Sequence, residues 1–235
     1  MPQFNIQQIL IRILVLTLSL SVHEYAHARM AYHLGDDTAA RQGRLTLNPL
    51  KHIDPLGAVA FVIAGFGWAK PVPVNPVNFD RNKVKTMRSG MMRVAIAGPI
   101  SNLIISFIAN FIYQLLNFIL VAFKVQINSS VSGIVQLVFT ILIVFYSANI
   151  SLALFNMLPI PPLDGSRVLG AFLSESAYYK YMSIQRYSMI ILFALIVFGG
   201  GILGRVISFV MILIDYILRV PVETLFSFLI NLVSG

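Results

Sequence analysis

The sequence predicts an all-α integral membrane protein, a polytopic helical bundle with a short re-entrant or extended element at about residues 53–79. Three observations lead there. First, 57% of the 235 residues are hydrophobic and 11% are charged, against about 45–50% and about 25% in soluble domains. So apolar a chain cannot cover a soluble ball of its size with polar surface, which excludes an ordinary cytosolic enzyme and a disordered chain. Second, apolar runs at 8–30, 91–123, 133–158 and 186–218 each reach the roughly 20 helical residues that cross a bilayer core of about 30 Å. Third, the 17 Lys and Arg, against 9 Asp and Glu for a net charge of +8, sit in loops between those runs. Membrane topology accounts for such a distribution, and no nucleic-acid partner is expected. The absence of cysteine rules out thiolate catalysis, disulfides and Cys-ligated zinc.

The first run ends near Ala26-His27-Ala28, which mimics a signal-peptide cleavage site. Its only basic side chain upstream is Arg12, and more spans follow, so the helix is read as retained. The shorter run 53–69 is ambiguous until the basic loops are compared. Loop 28–52 carries Arg29, Arg41, Arg44 and Lys51, and loop 69–93 carries Lys70, Arg81, Lys83, Lys85, Arg88 and Arg93. If 53–69 dips in and returns, both loops are cytoplasmic, 124–132 is outside, and 159–186 is cytoplasmic again. This arrangement satisfies every loop, so the N-terminus is placed outside. The 186–218 run is too long for one simple span, and Gly199-Gly200-Gly201 in its middle is read as a tight turn between two helices or a break in one. The tail 222–233 is either interfacial or spanning. No internal repeat and no stretch long enough for a separate soluble domain interrupts residues 1–235, which are read as one membrane-embedded domain.

Near the cytoplasmic end of the first helix stands His23-Glu24-Tyr25-Ala26-His27, an H-E-x-x-H. Spacing i, i+4 turns a helix by about 400°, so both imidazoles project from one face and can chelate one zinc. Glu24 lies on the adjoining face, in reach of a metal-bound water without having to ligate the metal. With four His and three Glu in the chain, chance yields the pattern roughly once in a thousand such chains. A charged side chain at mid-bilayer depth costs about 2.5–3.5 kcal/mol on insertion scales, so an idle ionisable triplet is a poor alternative.

Two histidines leave a tetrahedral catalytic zinc short of one protein ligand. The candidates are His33, His52, Asp36, Asp37, Asp54, Asp164, Glu175 and Asp215. His33 is off the metal face, Asp36 and Asp37 sit in a polar loop beside Gly35, and Asp215 has Arg219 one turn on. Asp164 follows Pro159, Pro161 and Pro162, which should stop the helix and hold the chain extended, while Gly165 permits a sharp turn. Local chemistry alone leaves Asp164 equally a metal ligand or the N-cap of the next helix.

Four blocks, in order, resemble the site-2 proteases, a family of intramembrane zinc metalloproteases. They are His23 to His27; Leu47-Asn48-Pro49-Leu50-Lys51-His52-Ile53-Asp54-Pro55-Leu56-Gly57; Gly98-Pro99-Ile100-Ser101-Asn102; and Asn156 through Gly165. The resemblance covers about residues 8–175 as a catalytic core, followed by C-terminal helices at 186–233. The segment Gly67 to Pro76 is similar to that of compact members without an appended PDZ domain; many relatives carry a further span before the metal helix.

The resemblance implies one Zn2+ per chain held by His23, His27 and Asp164, with Glu24 as general base. It also implies that Asn102 and Asn156 line the active site and orient substrate or stabilise an oxyanion; otherwise they make interhelical hydrogen bonds. Asn149 is read as structural. Segment Lys70–Phe79, alternating valine with proline and asparagine, is read either as an edge that docks an unwound substrate or as a rigid surface loop. The expected partners are a transmembrane protein substrate and the lipid bilayer, with self-association left open, in a multi-pass protein of the cell membrane whose site faces the cytoplasm. A membrane hydrolase of a non-peptide substrate, or a non-catalytic metal carrier, would share the same ligands.

Overall fold

A computed structural model describes residues 6–57, 59, 69–188, 190, 191, 194 and 201–234. Its α-helices bounded by described residues are α1 (Ile6–His33), α2 (Thr38–Arg41), α3 (Met87–Ala122), α4 (Ser129–Asn156), α5 (Asp164–Gly170), α6 (Glu175–Met182), α7 (Ile202–Leu218) and α8 (Val220–Ser234). There is no named strand among the described residues. Among the described residues three helices, α1, α3 and α4, are long and apolar enough to cross a membrane. They coincide with the first, second and third long apolar runs.

Local chemistry sets where the long helices begin. Thr86 starts α3 with a reciprocal capping box: its Oγ1 accepts from Ser89 N at 3.1 Å, and its own N–H donates to Ser89 Oγ at 3.1 Å. Asn128 caps α4 by accepting from Val131 N at 3.0 Å. At 36 residues, α3 is about 54 Å long, well beyond a hydrocarbon core of about 30 Å. Its first turns can therefore stand outside the bilayer.

Helix α3 is the hub, packing against α1, α4, α5 and α8. The bundle has the polarity expected in lipid. Leu10, Leu14 and Leu18 of α1, and Ile100, Ile104 and Ile108 of α3, are exposed, whereas Ser19, Asn102, Ser106 and Asn149 are fully buried. With lipid tails as apolar as leucine, buried polar groups and close packing tie the helices together. One such tie is Ser106 Oγ donating to Tyr146 O at 3.0 Å, between α3 and α4. A second joins the C-terminal helices to the bundle: Asp215 pairs with Arg219 at 2.9 Å, as its spacing predicts, and also accepts from the Tyr146 hydroxyl.

The two ends of the run 53–69 meet. Ile53 and Ala69 form an antiparallel bridge, and Lys70 N donates to His52 O at 2.9 Å. Residues 58 and 60–68, within the expected re-entrant element, lie outside the described residues. The expected turn at Gly199 and Gly200 also lies outside them, and the described chain enters α7 at Ile202.

Beyond α1 the chain is stapled by buried Asp36. Its carboxylate accepts from Thr38 N at 3.1 Å, Asn75 N at 2.7 Å and Asn78 Nδ2 at 2.9 Å, and from the Thr38 hydroxyl. Burial works against its charge, but these donors outweigh that and hold the carboxyl below the usual carboxylate range. Loop 34–38 is thereby locked to segment 70–78. Arg44, also buried, donates to Lys70 O at 2.7 Å and Pro71 O at 3.3 Å from the other side.

Candidate metal centre

His23 and His27 sit one turn apart on the buried face of α1, with their rings edge to face at 4.5 Å between centroids. Asp164 opens α5. The turn before it differs from the extended chain expected from its prolines. Pro159, Pro161 and Pro162 do end α4, but residues 158–166 coil through successive tight turns, with Leu163 N donating to Ile160 O at 2.9 Å and Ser166 N to Leu163 O at 3.0 Å. Nor does Gly165 adopt a positive φ. It is needed for close approach, because a Cβ there would lie 2.1 Å from Met157 O. Asp164 does not act as the N-cap, a position held by Leu163. Its carboxylate is turned toward α1 instead.

The three side chains meet. Asp164 Oδ2 lies 3.1 Å from His23 Nε2 and 3.2 Å from His27 Nε2, and the two Nε2 atoms are 2.9 Å apart. The tautomers follow from what stands on the other side of each ring. His27 Nδ1 is 2.7 Å from Val94 O, a carbonyl that can only accept, so Nδ1 carries the proton. His23 Nδ1 is 2.6 Å from Asn102 Oδ1 and likewise donates. In the neutral rings both Nε2 atoms then present lone pairs to each other and to a carboxylate oxygen that is buried without an aligned hydrogen bond.

Three converging acceptors repel unless a cation sits among them. Zinc bonds of about 2.0–2.1 Å in a tetrahedron place neighbouring ligand atoms about 3.3–3.4 Å apart. The separations here fall slightly inside that, so the donor set fits zinc, with one position left for water or substrate. Among the described residues, His23, His27 and Asp164 are the group able to hold a metal ion.

Glu24 is half-buried beside His23, and its Oε2 accepts from Val72 N at 2.8 Å. That bond places segment 70–75 against the site. The segment is extended but already engaged: the N–H groups of Lys70, Val72 and Asn75 are taken, and Pro71, Pro73 and Pro76 have none. Only Val74 retains an N–H for a docking strand, so any pairing there would lean on its carbonyls.

The remaining candidates sit elsewhere. Asp37 pairs with Arg41 at 2.7 Å, Asp54 caps Leu56 N and Gly57 N at 2.9 Å, and buried His52 faces Thr46 O at 2.8 Å. Asn156 ends α4 and donates to Leu152 O at 2.9 Å. Asn102 is 0% exposed, with Oδ1 on His23 and Nδ2 donating to Asn149 Oδ1 at 2.8 Å. It thus joins the His23 ring of α1 to Asn149 of α4. Gly98 has a role that its motif does not reveal. A Cβ there would lie 2.5 Å from His27 Nε2 and 2.6 Å from His23 Cε1, so the missing side chain is the seat of both rings.

The profile of peptidase family M50 matches residues 11–199, which include His23, His27 and Asp164. The chain belongs to peptidase family M50. It is 41% identical over 185 residues to "Putative zinc metalloprotease YwhC" of Bacillus subtilis (strain 168), covering 79% of each chain. It is 28% identical over 186 residues to "Putative zinc metalloprotease Rip2" of Mycolicibacterium smegmatis, covering 77% of this chain and 64% of that one. No solved structure gives a significant match. Membership in M50 agrees with the resemblance seen in the four motif blocks, and the relatives support a metalloprotease whose metal is zinc.

Proposed function

We propose that this M50 member is a zinc-dependent intramembrane endopeptidase. It is read as a single multi-pass domain of the cell membrane, cleaving transmembrane protein substrates from a site near the cytoplasmic face. The observation that carries this reading is the convergence of two imidazole lone pairs and a carboxylate oxygen inside an apolar bundle, next to a glutamate.

Bound zinc would supply a Lewis acid that lowers the pKa of its water from about 15.7 toward about 7 and polarises a carbonyl. The chain's own groups do the rest. His23, His27 and Asp164 hold the ion. Glu24, with Oε2 fixed by Val72 N–H, has Oε1 to take the proton from the attacking water and deliver it to the leaving amine. The orientation is supported by the basic loops and by the contacts between them: Asp80 N donates to Leu34 O at 2.8 Å and Lys83 Nζ to His33 O at 2.8 Å. Loops 28–52 and 69–93 therefore lie at one end of the bundle.

A helical substrate protects its scissile amides, so the selective step is unwinding. A Gly or Pro near the cut lowers that cost by about 1–3 kcal/mol, roughly five- to a hundredfold in open substrate. The test is cleavage of matched single-span substrates by purified protein in liposomes, with and without chelator. The reading expects chelator-sensitive cleavage that a helix breaker accelerates more than changes flanking the cut do. Absence of cleavage, or turnover of a lipid amide instead, would contradict it.

A further inference from the structure

Asn149 is a polar residue at the centre of an apolar run, fully buried in α4 and one helix removed from the metal ligands. Its Nδ2 donates to Phe145 O at 2.8 Å and to Ser19 Oγ at 2.8 Å. A carbonyl can only accept, so Phe145 O fixes which end of the amide is nitrogen. Oδ1 then faces Asn102, which must offer Nδ2, at 2.8 Å. Asn102 in turn must offer Oδ1 to His23, at 2.6 Å. Each amide has one allowed orientation, and the sequence of bonds ends in a proton on His23 Nδ1, which in the neutral ring leaves the lone pair on Nε2.

We propose that Asn149 is a positioning residue for the metal: through Asn102 it fixes the tautomer and ring orientation of His23. This rests on the zinc reading of the His23, His27 and Asp164 site. Asn102 alone could rotate by 180° and present Nδ2 to His23 Nδ1, which would push the imidazole proton onto Nε2 and block coordination. Asn149 removes that option. His27 needs no such device, since Val94 O already dictates its tautomer. Partners of metal-bound histidines typically change metal affinity by 10- to 100-fold.

The informative variant is Asn149→Ser. Its hydroxyl can bond back to Phe145 O, as Ser147 and Ser151 do to the carbonyls four residues before them. It is too short to reach Asn102. Zinc affinity, read by chelator competition on purified full-length protein, should weaken by roughly 10- to 100-fold. Ser106→Ala, which breaks a buried α3–α4 hydrogen bond outside this chain of amides, should stay within about twofold of wild type. In a chain carrying Asn102→Ala, adding Asn149→Ser should cost less than about threefold more, because the route to His23 is already cut.

Unchanged affinity in Asn149→Ser, or losses that multiply in the double variant, would overturn the proposal while leaving the metal centre standing. A wild-type chain that binds no zinc would overturn both. If Asn149→Ser does not fold, Asn149→Asp, whose protonated carboxyl can donate to Phe145 O in place of Nδ2, keeps an oxygen facing Asn102. It must bind zinc within about threefold of wild type, and a folded Asn149→Asp variant that loses more overturns the proposal.

Discussion

Glu24→Gln will hold zinc as wild type does and hydrolyse substrate at least about 100-fold more slowly, the lower end of what a positioned general base contributes. Glutamine keeps the length and shape of the side chain, and its carbonyl oxygen can still accept from Val72 N–H as Glu24 Oε2 does at 2.8 Å. All three ligands remain, and the lost property is the ability to take a proton. Parallel zinc analysis and initial rates on one preparation check it. Turnover near the wild-type rate would remove Glu24 from the chemistry.

Gly98→Ala will empty the metal centre. In most helix positions this substitution is stabilising, by about 1 kcal/mol. Here the new Cβ would sit 2.5 Å from His27 Cε1 and Nε2 and 2.6 Å from His23 Cε1. Neither ring can withdraw freely, since His27 is tied to Val94 O at 2.7 Å and His23 to Asn102 at 2.6 Å. One imidazole must leave, and zinc affinity should fall by more than the roughly 100-fold upper end seen for losing a supporting partner. Helix content by circular dichroism should be unchanged. A Gly98→Ala variant with wild-type zinc content would mean that the two rings sit elsewhere than described.

Much of the fold and of the site is legible in the sequence. The three long spans follow from apolar length alone, because a bilayer sets a minimum that soluble helices seldom need. His23 and His27 follow from helical spacing, and the Asp215–Arg219 pair from the same i, i+4 rule. Asp164 is ambiguous by local chemistry because a carboxylate opening a helix is usually a cap; the family motif is what favours it as a ligand. Other features are hidden for reasons that are physical. The partner of His23 is 79 residues away, and nothing in a linear pattern says which of several buried amides will meet it. The one available sign is that Ser19, Asn102 and Asn149 each lie deep in an apolar run, where a polar group must find a partner. Gly98 reads as ordinary membrane-helix packing, since a glycine in a span carries no mark of what occupies its missing volume. The turns at 158–166 mislead because prolines limit φ without dictating whether successive turns coil or extend.

The central claim is that His23, His27 and Asp164 hold one zinc on which peptide hydrolysis depends. The most direct measurement is zinc content per chain of purified wild type and Asp164→Ala, with cleavage of a single-span substrate followed on the same samples. The account predicts about one zinc and cleavage for the wild type, from a donor set of three with one open position, and neither for Asp164→Ala. An Asp164→Ala chain that keeps its zinc and still cleaves would contradict it.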